Sequence, residues 1–109
     1  MVLIKLLQSL GDFMSDWVLI LGGSTGHGAA VAKKLALEGY GIISFHLDRG
    51  EAKKIAQKNI EEINELTNGN CHYFNTNAAS EDVMNDYIPK IKEITSSKPL
   101  KLILHSIAF

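Results

Sequence analysis

From Trp17 to Gly23 the chain reads WVLILGG, an unbroken apolar run closed by two glycines. A run without polar alternation predicts a strand buried on both faces, as in a parallel sheet. Within Gly28–Glu38, Ala29, Val31, Ala32, Leu35 and Ala36 recur at helical spacing, and Gly39 is placed to stop that helix. GIISFHL, Gly41–Leu47, predicts a second buried strand. Glu51–Leu66 carries Ala52, Ile55, Ala56, Ile60, Ile63 and Leu66 on one stripe and mostly Lys and Glu elsewhere, the pattern of an amphipathic helix, ended by Asn68-Gly69. CHYFN, Cys71–Asn75, is a short third strand. Ser80 can cap a third helix with Glu81 and Asp82 in its first turn. Its buried stripe is Val83, Met84, Tyr87, Ile88, Ile91 and Ile94, and Pro89 inside the pattern predicts a kink or a split. Lys101–Phe109, KLILHSIAF, opens as a fourth strand.

The order is β-α-β-α-β-α-β, which predicts an α/β fold with a parallel sheet and right-handed crossovers. A length of 109 residues suits one domain. Residues 1–13, MVLIKLLQSLGDF, have too short an apolar stretch and no cleavage site for a signal peptide, and Met14 opens a more natural start, so they read as a leader, a short N-terminal extension or an upstream mis-start. The domain proper is then residues 14–109. A net charge of −1 gives no electrostatic case for nucleic acid or an anionic membrane. The single cysteine, Cys71, excludes an internal disulfide and fits a cytoplasmic setting. Its surroundings in the pattern predict a small core residue.

The stretch between the first strand and the first helix decides the chemistry. Gly22, Gly26 and Gly28 make G-x-x-x-G-x-G, where glycine allows a tight turn and close approach of phosphates to the backbone. A helix starting near Gly26 aims free N–H groups and its positive dipole end at the same space, and Ser24 and Thr25 add hydroxyls. This is a dinucleotide-binding arrangement, with strand, helix and second strand in the required order. A nucleotide-hydrolysing phosphate loop could begin at Gly23 and reach Gly28, but Ala29 and Ala30 stand where its Lys and hydroxyl residue belong.

With that loop the chain resembles the short-chain dehydrogenase/reductase family from about Trp17 to Phe109. The resemblance implies the N-terminal half of a doubly wound Rossmann fold binding NAD(H) or NADP(H). At the end of the fourth strand, His105-Ser106-Ile107-Ala108-Phe109 resembles the bacterial enoyl-[acyl-carrier-protein] reductases, which reduce trans-2-enoyl thioesters in fatty-acid synthesis. Those reductases usually carry a longer glycine motif, whereas this loop has the ordinary family form. A 3-oxoacyl thioester reductase or another short-chain dehydrogenase is therefore the alternative. The resemblance implies that Gly22, Ser24, Thr25, Gly26, His27 and Gly28 surround the pyrophosphate and adenosine ribose. It places Asn77 and Ala78 beside the adenine, and Ser106 and Ile107 along the nicotinamide half. It also implies a homotetrameric parent acting on a small-molecule or carrier-bound thioester.

Two readings of cofactor choice conflict. Asp48 lies 20 residues past Gly28, where an acid bonds the ribose 2′-OH of NAD(H). Matching the family's usual strand length puts His46 there instead, with Arg49 close by, and these two could accept the 2′-phosphate of NADP(H). The sequence leans to NADP(H). The family's catalytic pair is a Tyr followed by Lys four or seven residues later. After Tyr40, Tyr73 and Tyr87 those positions hold Ser44, Asn77 and Ile91, then Leu47, Ser80 and Ile94. The expectation is a cofactor-binding fragment, inactive alone, truncated before its catalytic part; a non-catalytic nucleotide-binding module is the reading of another class. His27, His46, His72 and His105 match no zinc spacing, so no metal site is expected.

Overall fold

The computed structural model describes residues 16–106. Residues 1–13 and Ile107, for which the sequence raised expectations, lie outside them. Seven elements alternate: β1 (Trp17–Leu21), α1 (Gly26–Leu37), β2 (Gly41–His46), α2 (Glu51–Leu66), β3 (Cys71–Asn75), α3 (Glu81–Ile94) and β4 (Leu102–His105). The four strands form one parallel sheet in the order β3-β2-β1-β4. The chain thus builds outward on one side to β3, then crosses to the far side of β1. The parallel sheet is what the alternation predicts, and its strand order is that of the half of a Rossmann-like fold that the family resemblance implies.

Side chains alternate across the sheet because successive Cβ atoms point to opposite faces. Val18, Ile20, Ile42 and Cys71 pack under α1 and α2 with Ala32, Ala36 and Ile63. Trp17, Leu19, Ile43 and Phe45 face α3 through Met84, Tyr87, Ile91 and Ile94. Both faces are therefore covered over β1 and β2, which explains why their sequences are apolar without alternation. Cys71 belongs to the first cluster, and burial pushes its thiol up to about 12.

All three helices end alike. The N–H of Gly39 reaches Ala36 O, and that of Tyr40 reaches Leu35 O, the paired bonds of a Schellman motif. Asn68 and Gly69 repeat the pattern on α2, Ser96 and Ser97 on α3. At the N-terminus of α3 the Ser80 hydroxyl accepts from Val83 N–H at 3.3 Å, as its sequence position predicts.

Three expectations need correcting. The stripe predicted to be buried on α3 is covered only in part: none of its residues is fully buried, and Ile88 is 44% exposed. Pro89 does not split α3, which runs unbroken from Glu81 to Ile94. Pro89 and Asn85, whose carbonyl loses its helical donor, are both exposed, so water can take that bond. The predicted stripe of α2 is buried only in part: Ala56 and Ile63 are fully covered, while Ile55 stays 57% exposed. The helix lies over β2 and β3, and β3 is the last strand on that side of the sheet among the described residues.

Candidate functional site

The C-terminal ends of the strands open into a cleft of about 680 Å³. Such a crevice, where the strand order reverses about β1, is where open α/β sheets place ligands. Its near wall is the glycine loop. Gly28 allows the loop to close on α1: a Cβ there would stand 1.9 Å from the carbonyl oxygen of Gly22, so no other residue fits. Gly26 has φ +55 and open space where a Cβ would project, so it leaves the backbone uncovered toward the cleft.

The N–H groups of residues 24–28 donate to no acceptor among the described residues. They sit at and just before the start of α1, where the dipole is positive. The loop can therefore receive an anion at its backbone, with the Thr25 hydroxyl alongside; no acid stands in the helix's first turn to compete.

Beside the loop, just past the end of β2, the cleft wall carries a carboxylate. Asp48 Oδ2 accepts from the Ser24 hydroxyl at 2.5 Å and meets His46 Nδ1 at 2.7 Å. With the carboxylate ionised, the imidazole donates through Nδ1. The Asp48 backbone N–H reaches Asn75 Oδ1 at 3.3 Å. Side-chain exposures of 8% for His46 and 11% for Asp48 show that the pair is built into the wall. Asp48 Oδ1 accepts nothing among the described residues and is left for a ligand.

Gly22, Ser24, Thr25, Gly26, His27, Gly28, His46, Asp48, Asn77, Ala78 and Ser106 all line this one cleft. Arg49 is exposed and does not line it. Ile107 lies outside the described residues. Phe45, Leu47, Thr76 and Ala79 line the cleft without having been singled out. Each adjoins a residue that was, so the strand-end positions themselves were the available signal. None of Tyr40, Tyr73 and Tyr87 lines the cleft: the first two pack on the α1–α2 side, and Tyr87 meets Phe45 edge-on and Phe74 at a tilt.

Among the described residues no three His, Cys, Asp or Glu side chains group as metal ligands, and no helix is long and apolar enough to cross a membrane.

Comparison with known proteins agrees with the topology. A family model described as short chain dehydrogenase matches residues 16–106. A solved structure assigned as a short chain dehydrogenase of Shigella flexneri 2a str. 301 superposes with a TM-score of 0.62 at 21% identity. The match covers 90% of this chain and 42% of that one, so this chain spans less than half of its neighbour's length. A search of curated proteins returns no match.

Proposed function

The chain belongs to the short chain dehydrogenase family, and from that premise we propose that it is the cofactor-holding part of an NAD(P)-dependent oxidoreductase whose cofactor is NAD(H). The observation that carries the reading is the Asp48 carboxylate, fixed beside the glycine loop by Ser24 of that loop and by His46 at the end of β2. The loop N–H groups hold the pyrophosphate, and Asp48 Oδ1 accepts from the adenosine ribose 2′-OH. A 2′-phosphate would meet that carboxylate as a like charge. Of the two bases that could offset it, His46 lines the cleft but is already bonded to Asp48, and Arg49 is outside the cleft lining. This favours NAD(H) over NADP(H), against the leaning of the sequence. The nicotinamide, when bound, supplies or accepts a hydride; Asn77 and Ala78 flank the adenine end, and Ser106 the nicotinamide end.

Titrating the intact protein with NADH and NADPH tests this. NADH binds at least about tenfold more tightly, a difference of about 1.4 kcal/mol. Asp48→Asn narrows the gap. Equal or tighter binding of NADPH overturns the cofactor assignment, and failure to bind either overturns the whole reading.

The substrate reading rests on His105-Ser106-Ile107-Ala108-Phe109. On it, the parent protein is a cytoplasmic homotetramer that reduces trans-2-enoyl thioesters carried by acyl-carrier protein. NADH oxidation by the intact protein with a trans-2-enoyl thioester, set against a 3-oxoacyl thioester, distinguishes the two reductase readings. The reading of another class, a non-catalytic nucleotide-binding module, rests on the same cleft, where none of the described tyrosines is among the lining residues. Loss of NADH with neither thioester, despite binding, would support it.

A further inference from the structure

We propose that Tyr73 and Asn59, which lie outside the cleft, are positioning residues that orient the peptide planes of the glycine loop toward a phosphate. The proposal rests on the reading of the cleft as a dinucleotide site.

In a trans peptide the C=O and the N–H point in opposite directions, so fixing a carbonyl aims the next residue's N–H. Tyr73, on β3, donates its hydroxyl to the carbonyl of Gly23 at 2.8 Å. Asn59, on α2, donates its amide to the carbonyl of Ser24 at 2.9 Å. The Gly23–Ser24 and Ser24–Thr25 planes are thereby held with both carbonyls turned into the protein. Their N–H groups, on Ser24 and Thr25, face away from these anchors, have no acceptor among the described residues, and belong to residues that line the cleft.

Both anchors are themselves fixed. Lys33 Nζ donates to Asn59 Oδ1 at 2.9 Å, which leaves the amide nitrogen facing Ser24. Glu62 holds Lys33 at 2.7 Å from the other side, and that ammonium keeps the Glu62 carboxyl below its usual range. Burial raises the Tyr73 phenol well above its ordinary range, so it stays a donor at any working pH. The anchors lie 35 and 50 residues from the loop positions they hold. Neither lines the cleft, so neither can contribute by touching a ligand there.

The test uses the intact protein with Tyr73→Phe and Asn59→Asp, titrated with ADP, NADH and adenosine. ADP carries the pyrophosphate and adenosine does not. Each variant weakens ADP and NADH roughly five- to tenfold, the scale of one misplaced hydrogen bond, while adenosine binds as in the wild type. Equal weakening of all three ligands means a general structural role and overturns the proposal. So does unchanged ADP binding. Should Asn59→Asp fail to fold, Lys33→Met frees the Asn59 amide to rotate and must give the same selective loss. A wild-type protein that binds neither ADP nor NADH overturns the functional reading itself; one that binds both, with variants to match, overturns only this inference.

Discussion

Strand β2 is buried at all six of its residues, whereas β4, one strand away across β1, is exposed at three of four. The sequence of β4, LILH, is no less apolar than that of β2, GIISFH. What separates them is cover. Over β2 both faces meet a helix, α1 and α2 on one side and α3 on the other. On β4 only Leu104 packs into a helix-covered cluster, and Ile103 is 62% exposed. The cleft lies where the well-covered strands end, so its walls stand on rigid backbone. Precision of a site follows from burial beneath it.

The largest break in that contrast is Gly28→Ala. The added methyl must displace the Gly22 carbonyl, and the loop and α1 separate. Unfolding free energy falls by roughly 4 kcal/mol or more, and NADH binding disappears. Chemical denaturation and NADH titration on the same sample check both. Next is a pair of truncations on the α3 side of the sheet. Phe45→Ala removes a fully buried ring packed on Phe74 and Tyr87, at a cost of about 3–4 kcal/mol. Ile103→Ala costs under about 0.5 kcal/mol. A larger loss at Ile103 would mean that an element outside residues 16–106 covers β4.

Local pattern carried the architecture far, for a physical reason: burial on two faces, helix stripes and glycine stops are short-range signals. The cleft was legible for the same reason, since its wall is one contiguous loop and the strand ends beside it. His46 and Asp48 read as rivals for one role, yet the two side chains bond to each other and act as a unit. Spacing along a chain cannot show that. Nor could it show Tyr73 and Asn59, whose partners are set by the crossing of α2 and β3 over the loop. The exposure of β4 was illegible as well, because position in the sheet order is a property of the whole topology.

A smaller effect sharpens the comparison at the helix ends. The stops of α1 and α2 use Gly39 and Asn68, but α3 uses Ser96 with φ 53. A side chain costs about 1 kcal/mol in that region, and Asn bears it better than Ser. Ser96→Gly therefore stabilises the protein by about 0.5–1 kcal/mol, read as a raised denaturation midpoint with unchanged slope. No gain would mean that the flexibility glycine adds to the unfolded chain cancels the relief of strain.

The smallest effect belongs to the other edge of the sheet. His72 on β3 packs against Trp17, with ring centroids 5.6 Å apart, and burial lowers its pKa below the ordinary 6.5. The folded state thus prefers neutral imidazole. Above pH 6.5 both states are neutral at this residue, and its full contribution is present. As pH falls below that value the unfolded chain takes up the proton first, so stability declines toward the lowered folded-state pKa. Denaturation followed by the fluorescence of Trp17, the sole tryptophan, gives the slope. His72→Gln removes this part of the decline. An unchanged slope in that variant would mean that the packing of His72 on Trp17 does not carry the pH dependence.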